Sequence, residues 1–185
     1  MIPNLTPDLD LARRVFEALR ARTHDGVGIT REAYGPGERI AHEIVMAEAK
    51  DAGLEIATDH MGNRFMTLCG ADRSAPRVVV GSHLDSVPRG GNYDGAAGVV
   101  AGLAAAAGMA RAGFAPGRDV TVMAIRAEEA GAWFPTSYPG SRGALGRLAP
   151  EELEIRRQDS GRTLAEHMAE EGFDPDAARA GRASL

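Results

Sequence analysis

Cysteine, lysine and long apolar runs are scarce in this sequence of 185 residues. A single cysteine, Cys69, excludes an internal disulfide and favours a reducing compartment such as the cytoplasm. No apolar run reaches the roughly 18 residues that can span a bilayer, and the acidic start MIPNLTPDLD lacks the charge and apolar pattern of a leader. We therefore predict a cytoplasmic protein without a membrane partner.

Basic clusters are also missing, although the chain has 21 lysines and arginines in total. Lys50 is the one lysine, and the arginines are scattered along a chain whose net charge is −5. Nucleic-acid surfaces usually carry a concentrated basic patch. The composition therefore predicts a protein that does not bind nucleic acid.

The length suits one sizeable core, and its apolar pattern indicates an α/β fold. Val78 to Val80 show no polar alternation, which is typical of a strand covered on both faces in a parallel sheet. A second apolar strand is predicted at 120–125, after a helix rich in small residues at about 94–112. With a hairpin at 54–68 and amphipathic helices near each end of the chain, the pattern predicts helices on both faces of a largely parallel sheet.

Potential metal ligands follow both apolar strands. His83, Asp85 and Asp94 come after the first strand, and Glu128 and Glu129 come after the second. In open α/β sheets, ligands bind at the carboxyl ends of the strands. Imidazole nitrogen and carboxylate oxygens suit zinc, with manganese or cobalt as alternatives. One carboxylate between the strand ends, for which Asp94 is best placed, could bridge two ions about 3.5–4 Å apart.

Each of these residues also has an ordinary structural explanation. Asp94 just before a helix could be its N-cap, Glu128 and Glu129 could be surface charges, and His83 could form a hydrogen bond within its loop. The combination is harder to explain in this way, because it places complementary chemistry at one sheet edge. In that scheme Asp85 orients His83, and one glutamate remains unligated to transfer protons.

The other polar features receive simpler interpretations. His24 and Asp25 lie in a loop with several glycines and are interpreted as surface or substrate-rim residues. His42 and His167 stand among charged neighbours in predicted helices, and we interpret both as solvated. For the aromatic segment that contains Trp133, two interpretations stay open: it forms a pocket wall near the metal edge, or Trp133 and Phe134 cap the core.

The two blocks GSHLDSVPRGGNYDGAAGV and AEEAGAWFPTSYPGSRGALG resemble the metal-binding blocks of the M20-type zinc amidohydrolases. The resemblance is to the branch of N-carbamoyl-L-amino acid hydrolases, allantoate amidohydrolases and β-ureidopropionases. Three further segments also resemble this branch: DGVGITREAYGPGE, GLEIATDHMGNRFMTLCG and SGRTLAEHMAEEGFDP. The resemblance implies a zinc-peptidase-like three-layer α/β domain.

The resemblance also implies roles for the site residues and two divalent metal ions, most simply zinc. His83 would ligate one metal, Asp94 both and Glu129 the other. Glu128 would be the general base for a metal-activated water, and Asp85 would orient His83. No substrate-binding residue is assigned.

Members of this family are considerably longer than this chain. We therefore expect residues 1–185 to be the amino-terminal part of the catalytic domain, without the dimerisation or lid domain. The remaining ligands would come from a missing segment, from another copy in a homo-oligomer or from a complementary subunit. In isolation the chain is expected to bind metal weakly and to show little activity.

The implied function is hydrolysis of a linear C–N bond in a small ureido or amide substrate, such as an N-carbamoyl amino acid or an allantoate-like molecule. A competing hypothesis is a non-catalytic, split or truncated member that acts as a binding or assembly partner. A third is an aminopeptidase or deacylase of the wider M20 group. Glu128, for which a pure binding module has no use, favours the enzyme.

Overall fold

The computed structural model describes residues 5–185 and shows the predicted mixture of helices and strands. The helices and strands, in chain order, are α1 Leu9–Thr23, α2 Pro36–Asp51, β1 Glu55–Thr58, β2 Arg64–Leu68, β3 Val78–His83, α3 Ala96–Arg111, β4 Val120–Ile125, α4 Pro139–Ala144, a short 3-10 helix Pro150–Glu154, α5 Leu164–Glu170 and α6 Pro175–Arg179. The predicted α/β class is confirmed. The pattern did not predict α4, the 3-10 helix or α6.

The four strands form one sheet in the order β1-β2-β4-β3. β1 and β2, and β2 and β4, pair antiparallel, whereas β3 and β4 pair parallel. The sequence predicts a largely parallel sheet, but the described sheet is mixed. The reason is connection length: the short turn at 59–63 can join only antiparallel strands, whereas α3 provides the crossover that a parallel pair needs.

The main core lies between the sheet and helices α1, α2 and α3. Helix α3 approaches the sheet closely, since a Cβ at Gly102 would lie only 3.1 Å from Val122 Cγ1. Alternate residues of the strands face the opposite side, where Phe65 and Met123 pack with Ala144 of α4. Helices therefore cover parts of both faces, as the sequence predicts.

The valines of β3 are more exposed than their sequence indicates. Val78, Val79 and Val80 retain 49%, 41% and 43% of their accessible surface. The prediction of a strand covered on both faces is therefore wrong for residues 5–185. The reason is that β3, among the strands of the described residues, is the outermost one and pairs only with β4.

Two histidines that are predicted to be solvated are in fact buried. His42 of α2 is 1% exposed, because α2 packs against α1, α3 and the sheet. Within the part of the chain that the structure describes, neither of its ring nitrogens has a hydrogen-bond partner. His167 of α5 is 5% exposed, and its Nε2 lies 2.8 Å from Ser160 Oγ. His24 and Asp25 are exposed, in agreement with the prediction of a loop surface.

The aromatic segment after β4 belongs to a second hydrophobic cluster. Trp133 and Phe134 are buried there with Tyr34, Leu153 and Leu164. Trp133 Nε1 donates a hydrogen bond to Ser86 O at 2.8 Å. Of the two interpretations of this segment, the one in which these aromatics cap the core is confirmed.

Across residues 5–185, none of the helices has the length and apolar character needed to cross a membrane.

Glu152 accepts several hydrogen bonds from the segment between β4 and the 3-10 helix. Its carboxylate accepts hydrogen bonds from Thr136 Oγ1 at 2.6 Å, from Arg142 Nη1 and Nη2 at 2.7 and 2.5 Å, and from Ala149 N at 3.1 Å. The hydrogen bonds from Arg142 are the largest reason why the pKa of Glu152 falls to about 2. The folded state therefore stabilises the ionised carboxylate.

We expect Glu152→Gln to lower the free energy of unfolding by about 1–2 kcal/mol at pH 7, as for other charge-assisted hydrogen bonds. Because the folded pKa lies below the unfolded value, the stabilisation is present above about pH 4.5 and is lost as the pH falls toward 2. Urea unfolding at several pH values measures this. Glu151→Gln, at the exposed neighbouring position, is the control. An equal effect of both substitutions, or a loss that does not shrink in acid, would contradict the prediction.

Candidate active site

The parallel pairing of β3 and β4 brings the predicted site residues to one edge of the sheet. His83, the last residue of β3, pairs with Ile125, the last residue of β4. The loop after β3 and the turn after β4 therefore begin side by side. This register explains how residues more than forty positions apart, His83 and Glu129, come to face the same space.

His83, Asp94 and Glu129 form a cluster in which one potential ligand atom of each residue lies within 4.8 Å of the others. Among residues 5–185, this is the one group of three or more such side chains. Gly95 permits the close approach of the Asp94 loop: its φ is +63°, and a Cβ there would lie 2.4 Å from His83 Cε1. The structure thus brings together the three predicted metal ligands, and their roles remain predictions.

The chemistry of this cluster fits a divalent cation. Glu129 Oε1 is buried and accepts no hydrogen bond from the described residues. Burial, and then the charge of Asp94, raise the pKa of Glu129. Two adjacent carboxylates, one with an unsatisfied oxygen, and an imidazole are a donor set that suits zinc.

Asp85 contacts the imidazole as predicted. His83 Nδ1 lies 3.2 Å from Asp85 Oδ1 and 3.1 Å from Asp85 O. Burial disfavours the charged imidazole, but the hydrogen bond and charge of Asp85 outweigh it and raise the pKa of His83 to about 9. Because Nδ1 is engaged in this way, Nε2 is the ring nitrogen that would coordinate a metal ion.

The turn that carries both glutamates, residues 126–129, is held by side-chain oxygens at every amide. Its four consecutive N–H groups donate to Asn63 Oδ1 at 2.9 Å, Glu38 Oε1 at 2.8 Å, Asp85 Oδ1 at 3.0 Å and Asp85 Oδ2 at 2.9 Å. All three acceptor residues are fully buried. Ala127 in this turn has a φ of +54°, a left-handed conformation that is uncommon for a residue other than glycine. The acceptors therefore fix a strained turn.

Glu128 is half-buried beside the cluster. Burial raises its pKa, and hydrogen bonds from Ser141 oppose this effect. Ser141 N donates to Glu128 Oε1 at 2.8 Å, which anchors one oxygen of the carboxylate. A carboxylate whose pKa is raised toward neutrality is suited to accept a proton.

Arg31 supports the other side of the site. Its side chain is fully buried and donates to Leu84 O at 2.5 Å, Asp94 O at 3.1 Å and, weakly, Asn92 O at 3.5 Å. These carbonyls belong to the loop between His83 and Asp94. Arg31 therefore fixes the loop that delivers two of the three clustered residues.

Sequence reasoning did not find Arg31, Glu38 or Asn63. Arg31 and Glu38 lie in DGVGITREAYGPGE, one of the segments that resemble the family, and this was the available signal. One of the alternative interpretations is wrong: α3 has Gly95 at its N-cap, where no side-chain cap is found among the described residues. Glu128 and Glu129 are both partly exposed. His83 does form the loop hydrogen bond of its alternative interpretation, and it also joins the cluster.

Comparisons with known proteins identify relatives of this chain. Residues 63–149 match the model of Peptidase family M28. This family differs from M20, the family that the motifs resemble. The N-carbamoyl-L-amino acid amidohydrolase of Geobacillus stearothermophilus is 38% identical over 90% of this chain and 40% of its own length. The allantoate amidohydrolase of Bacillus subtilis is 35% identical over 79% of this chain and 35% of its own length.

The chain is homologous to these amidohydrolases. A crystal structure of a hydantoinase/carbamoylase family amidase from Burkholderia ambifaria superposes on it with a TM-score of 0.82. That structure is 29% identical, and the match covers 92% of this chain and 42% of the amidase. This chain thus spans about two fifths of the length of its amidohydrolase relatives. The resemblance drawn from the motifs is confirmed.

The contact between Asp85 and His83 can be measured in the metal-free protein. We expect Asp85→Asn to lower the pKa of His83 from about 9 toward its ordinary value near 6.5, because the carboxylate charge is removed. NMR titration of the His83 ring in the presence of a chelator measures the shift. An unchanged pKa would mean that Asp85 does not orient His83.

The same contact makes stability depend on pH. Because the folded pKa of His83 lies above the unfolded value, the stabilisation by Asp85 is fully present below about pH 6.5 and decreases as the pH rises through about 9. Asp85→Asn should therefore cost more stability at pH 6 than at pH 9.5. Asp119→Asn, beside the opposite end of β4, is the control and should leave the pKa of His83 unchanged.

Proposed function

We propose that this chain supplies metal-binding and proton-transfer residues to a hydrolase that cleaves a linear C–N bond in a ureido or amide substrate. The observation that carries the proposal is the cluster of His83, Asp94 and Glu129 beside Glu128, at the carboxyl ends of parallel strands. Support also comes from the homologues, which are named as N-carbamoyl amino acid and allantoate amidohydrolases. An N-carbamoyl amino acid or an allantoate-like molecule is accordingly the proposed substrate.

His83, Asp94 and Glu129 would hold the metal, with zinc favoured by the donor set and manganese or cobalt as alternatives. A bound divalent cation would act as a Lewis acid on the substrate carbonyl and make water at the site more acidic. Asp85 holds Nδ1 of the imidazole, so that Nε2 can coordinate. A second ion, with Asp94 between the two, is part of the proposal taken from the family resemblance.

Glu128 would be the general base. Ser141 N fixes Oε1, and the second oxygen remains to accept a proton from water. Burial raises the pKa of Glu128, which improves a carboxylate as a base near neutral pH. The protonated carboxyl group would then deliver that proton to the leaving nitrogen.

Further ligands would come from additional polypeptide, either the same protein or a partner. Three clustered ligands would leave open positions around two ions, and the relatives are longer than the part that this chain matches. We propose a homo-oligomer or a complementary subunit as that source. The cytoplasmic location indicated by the single cysteine remains part of this proposal.

The second candidate function is a non-catalytic binding or assembly partner. The exposed valines of β3 favour it, since an apolar strand edge that faces solvent is a surface for association. The two candidates differ in what they require of Glu128. A hydrolase needs its carboxylate, whereas a binding module does not.

We expect Glu128→Gln to lower hydrolysis of N-carbamoyl amino acids or allantoate by about 10²–10⁴-fold, the usual contribution of a general base. The assay uses the particle as isolated with any partner chains. Metal content, measured by elemental analysis, should stay unchanged in this variant. Loss of metal together with activity would make Glu128 a ligand or a structural residue.

Glu129→Gln is the matched comparison at the neighbouring position. It should lower metal content as well as activity, because Glu129 belongs to the ligand cluster. Light scattering on the same native sample gives the mass of the particle. About two ions in a particle larger than 19.4 kDa would support the hydrolase, whereas a metal-free monomer of that mass would favour the binding partner.

A further inference from the structure

Glu38 has an unusual position for a charged residue. It lies in the first turn of α2, and its side chain is fully buried beneath the turn of residues 126–129. Its two oxygens have different partners. Oε2 accepts from Tyr34 N at 2.7 Å and Arg126 Nη1 at 2.8 Å, while Oε1 accepts from Ala127 N at 2.8 Å.

The contact through Oε1 joins α2 directly to the strained residue of the turn. Ala127 stands immediately before Glu128 and Glu129, and its positive φ sets the direction in which the chain continues. A left-handed alanine is held only where its surroundings define the conformation. The buried carboxylate of Glu38 is the group that meets its amide.

We propose that Glu38 is a positioning residue for the candidate active site: by fixing the amide of Ala127 it holds Glu128 and Glu129 in the orientation that faces His83 and Asp94. The proposal rests on the function proposed above for the two glutamates. Glu38 acts through the backbone of the turn and makes no contact with the reacting groups.

A purely structural role would rest on the ion pair with Arg126. Removing one member of a buried pair destabilises a protein whatever else the pair does. The separate partners of Oε1 and Oε2 allow the two roles to be distinguished. Arg126→Gln removes the ion pair and leaves the contact between Glu38 and Ala127, whereas Glu38→Gln disturbs both.

In Glu38→Gln the side chain keeps its shape but has one acceptor oxygen for three donors. The guanidinium of Arg126 and the amide of Tyr34 should take that oxygen, which leaves an NH₂ group opposite the amide of Ala127. The turn should then open locally. Glu48→Gln, at a partly exposed position of the same helix where the carboxylate pairs with Arg14, is the matched control.

The first measurement is amide hydrogen exchange of the full chain at pH 8 with a chelator present. We expect Glu38→Gln to accelerate exchange at residues 127–129 by about tenfold or more relative to the amides of β2, which report global opening. Arg126→Gln should accelerate both regions equally, and Glu48→Gln neither. If Glu38→Gln accelerates both regions equally, or if Arg126→Gln opens the turn as much, the positioning role is overturned.

The second measurement is zinc affinity by titration calorimetry. We expect Glu38→Gln to weaken zinc binding about 10–100-fold, as the loss of residues that orient ligands does elsewhere, and Arg126→Gln to change it less. If zinc binds neither the unsubstituted chain nor the particle isolated with its partner chains, the proposed function fails, and the exchange experiment still decides the role of Glu38. If Glu38→Gln does not fold, the variant with both Glu38→Gln and Arg126→Gln, which has no unpaired buried charge, is compared with Arg126→Gln alone.

Discussion

The candidate site depends on one local constraint: four consecutive amides after β4 donate to buried side-chain oxygens rather than to a strand or helix. The acceptors come from three separate parts of the fold, namely Asn63 at the end of the β1–β2 turn, Glu38 in α2 and Asp85 after β3. A buried N–H without a partner costs about 1–3 kcal/mol, so the turn is stable only while all three elements are packed in place. The positions of Glu128 and Glu129 are therefore a property of the folded domain and not of the loop sequence alone.

Asp85 links the two halves of the site. One of its oxygens contacts the imidazole of His83, and both accept amides of the turn that carries the glutamates. A single buried carboxylate thus sets the distance between residues delivered by two different strands. Arg31 complements it by holding the carbonyls of the loop that leads to Asp94. Because hydrogen bonds within the protein define these positions, the proposed ligands are arranged by folding itself, as preorganised sites require.

Sequence alone could predict which polar residues meet at one sheet edge and most of the elements around them, since apolar runs, glycine-rich loops and the resemblance of two long blocks all act locally. The order of strands was less accessible, because the pairing of β2 with β4 is a long-range choice that the pattern of either strand does not reveal. The run Val78 to Val80 indicates how apolar a strand is, but not whether a neighbour covers it. Burial of His42, Arg31 and Glu38 was missed for the same reason: a charged residue in a helix or loop is usually solvated, and only the tertiary packing shows otherwise.

The charges around the cluster give the clearest physical argument for a cation. Asp85, Asp94, Glu128 and Glu129 converge at one sheet edge, and the charge of Asp94 contributes to the raised pKa of Glu129. His83 and Arg31 compensate only part of this negative charge, and Arg31 donates its hydrogen bonds to backbone carbonyls. Like charges in a partly desolvated site repel strongly, and such an arrangement is usually found where protonation or a metal neutralises it. A divalent cation would offset the repulsion and satisfy Glu129 Oε1 in one step, whereas protonation of Glu129 would remove the repulsion but fill no coordination site. In the proposed function, the cation would replace the proton on Nε2 of His83, because Asp85 already holds Nδ1 of the same ring.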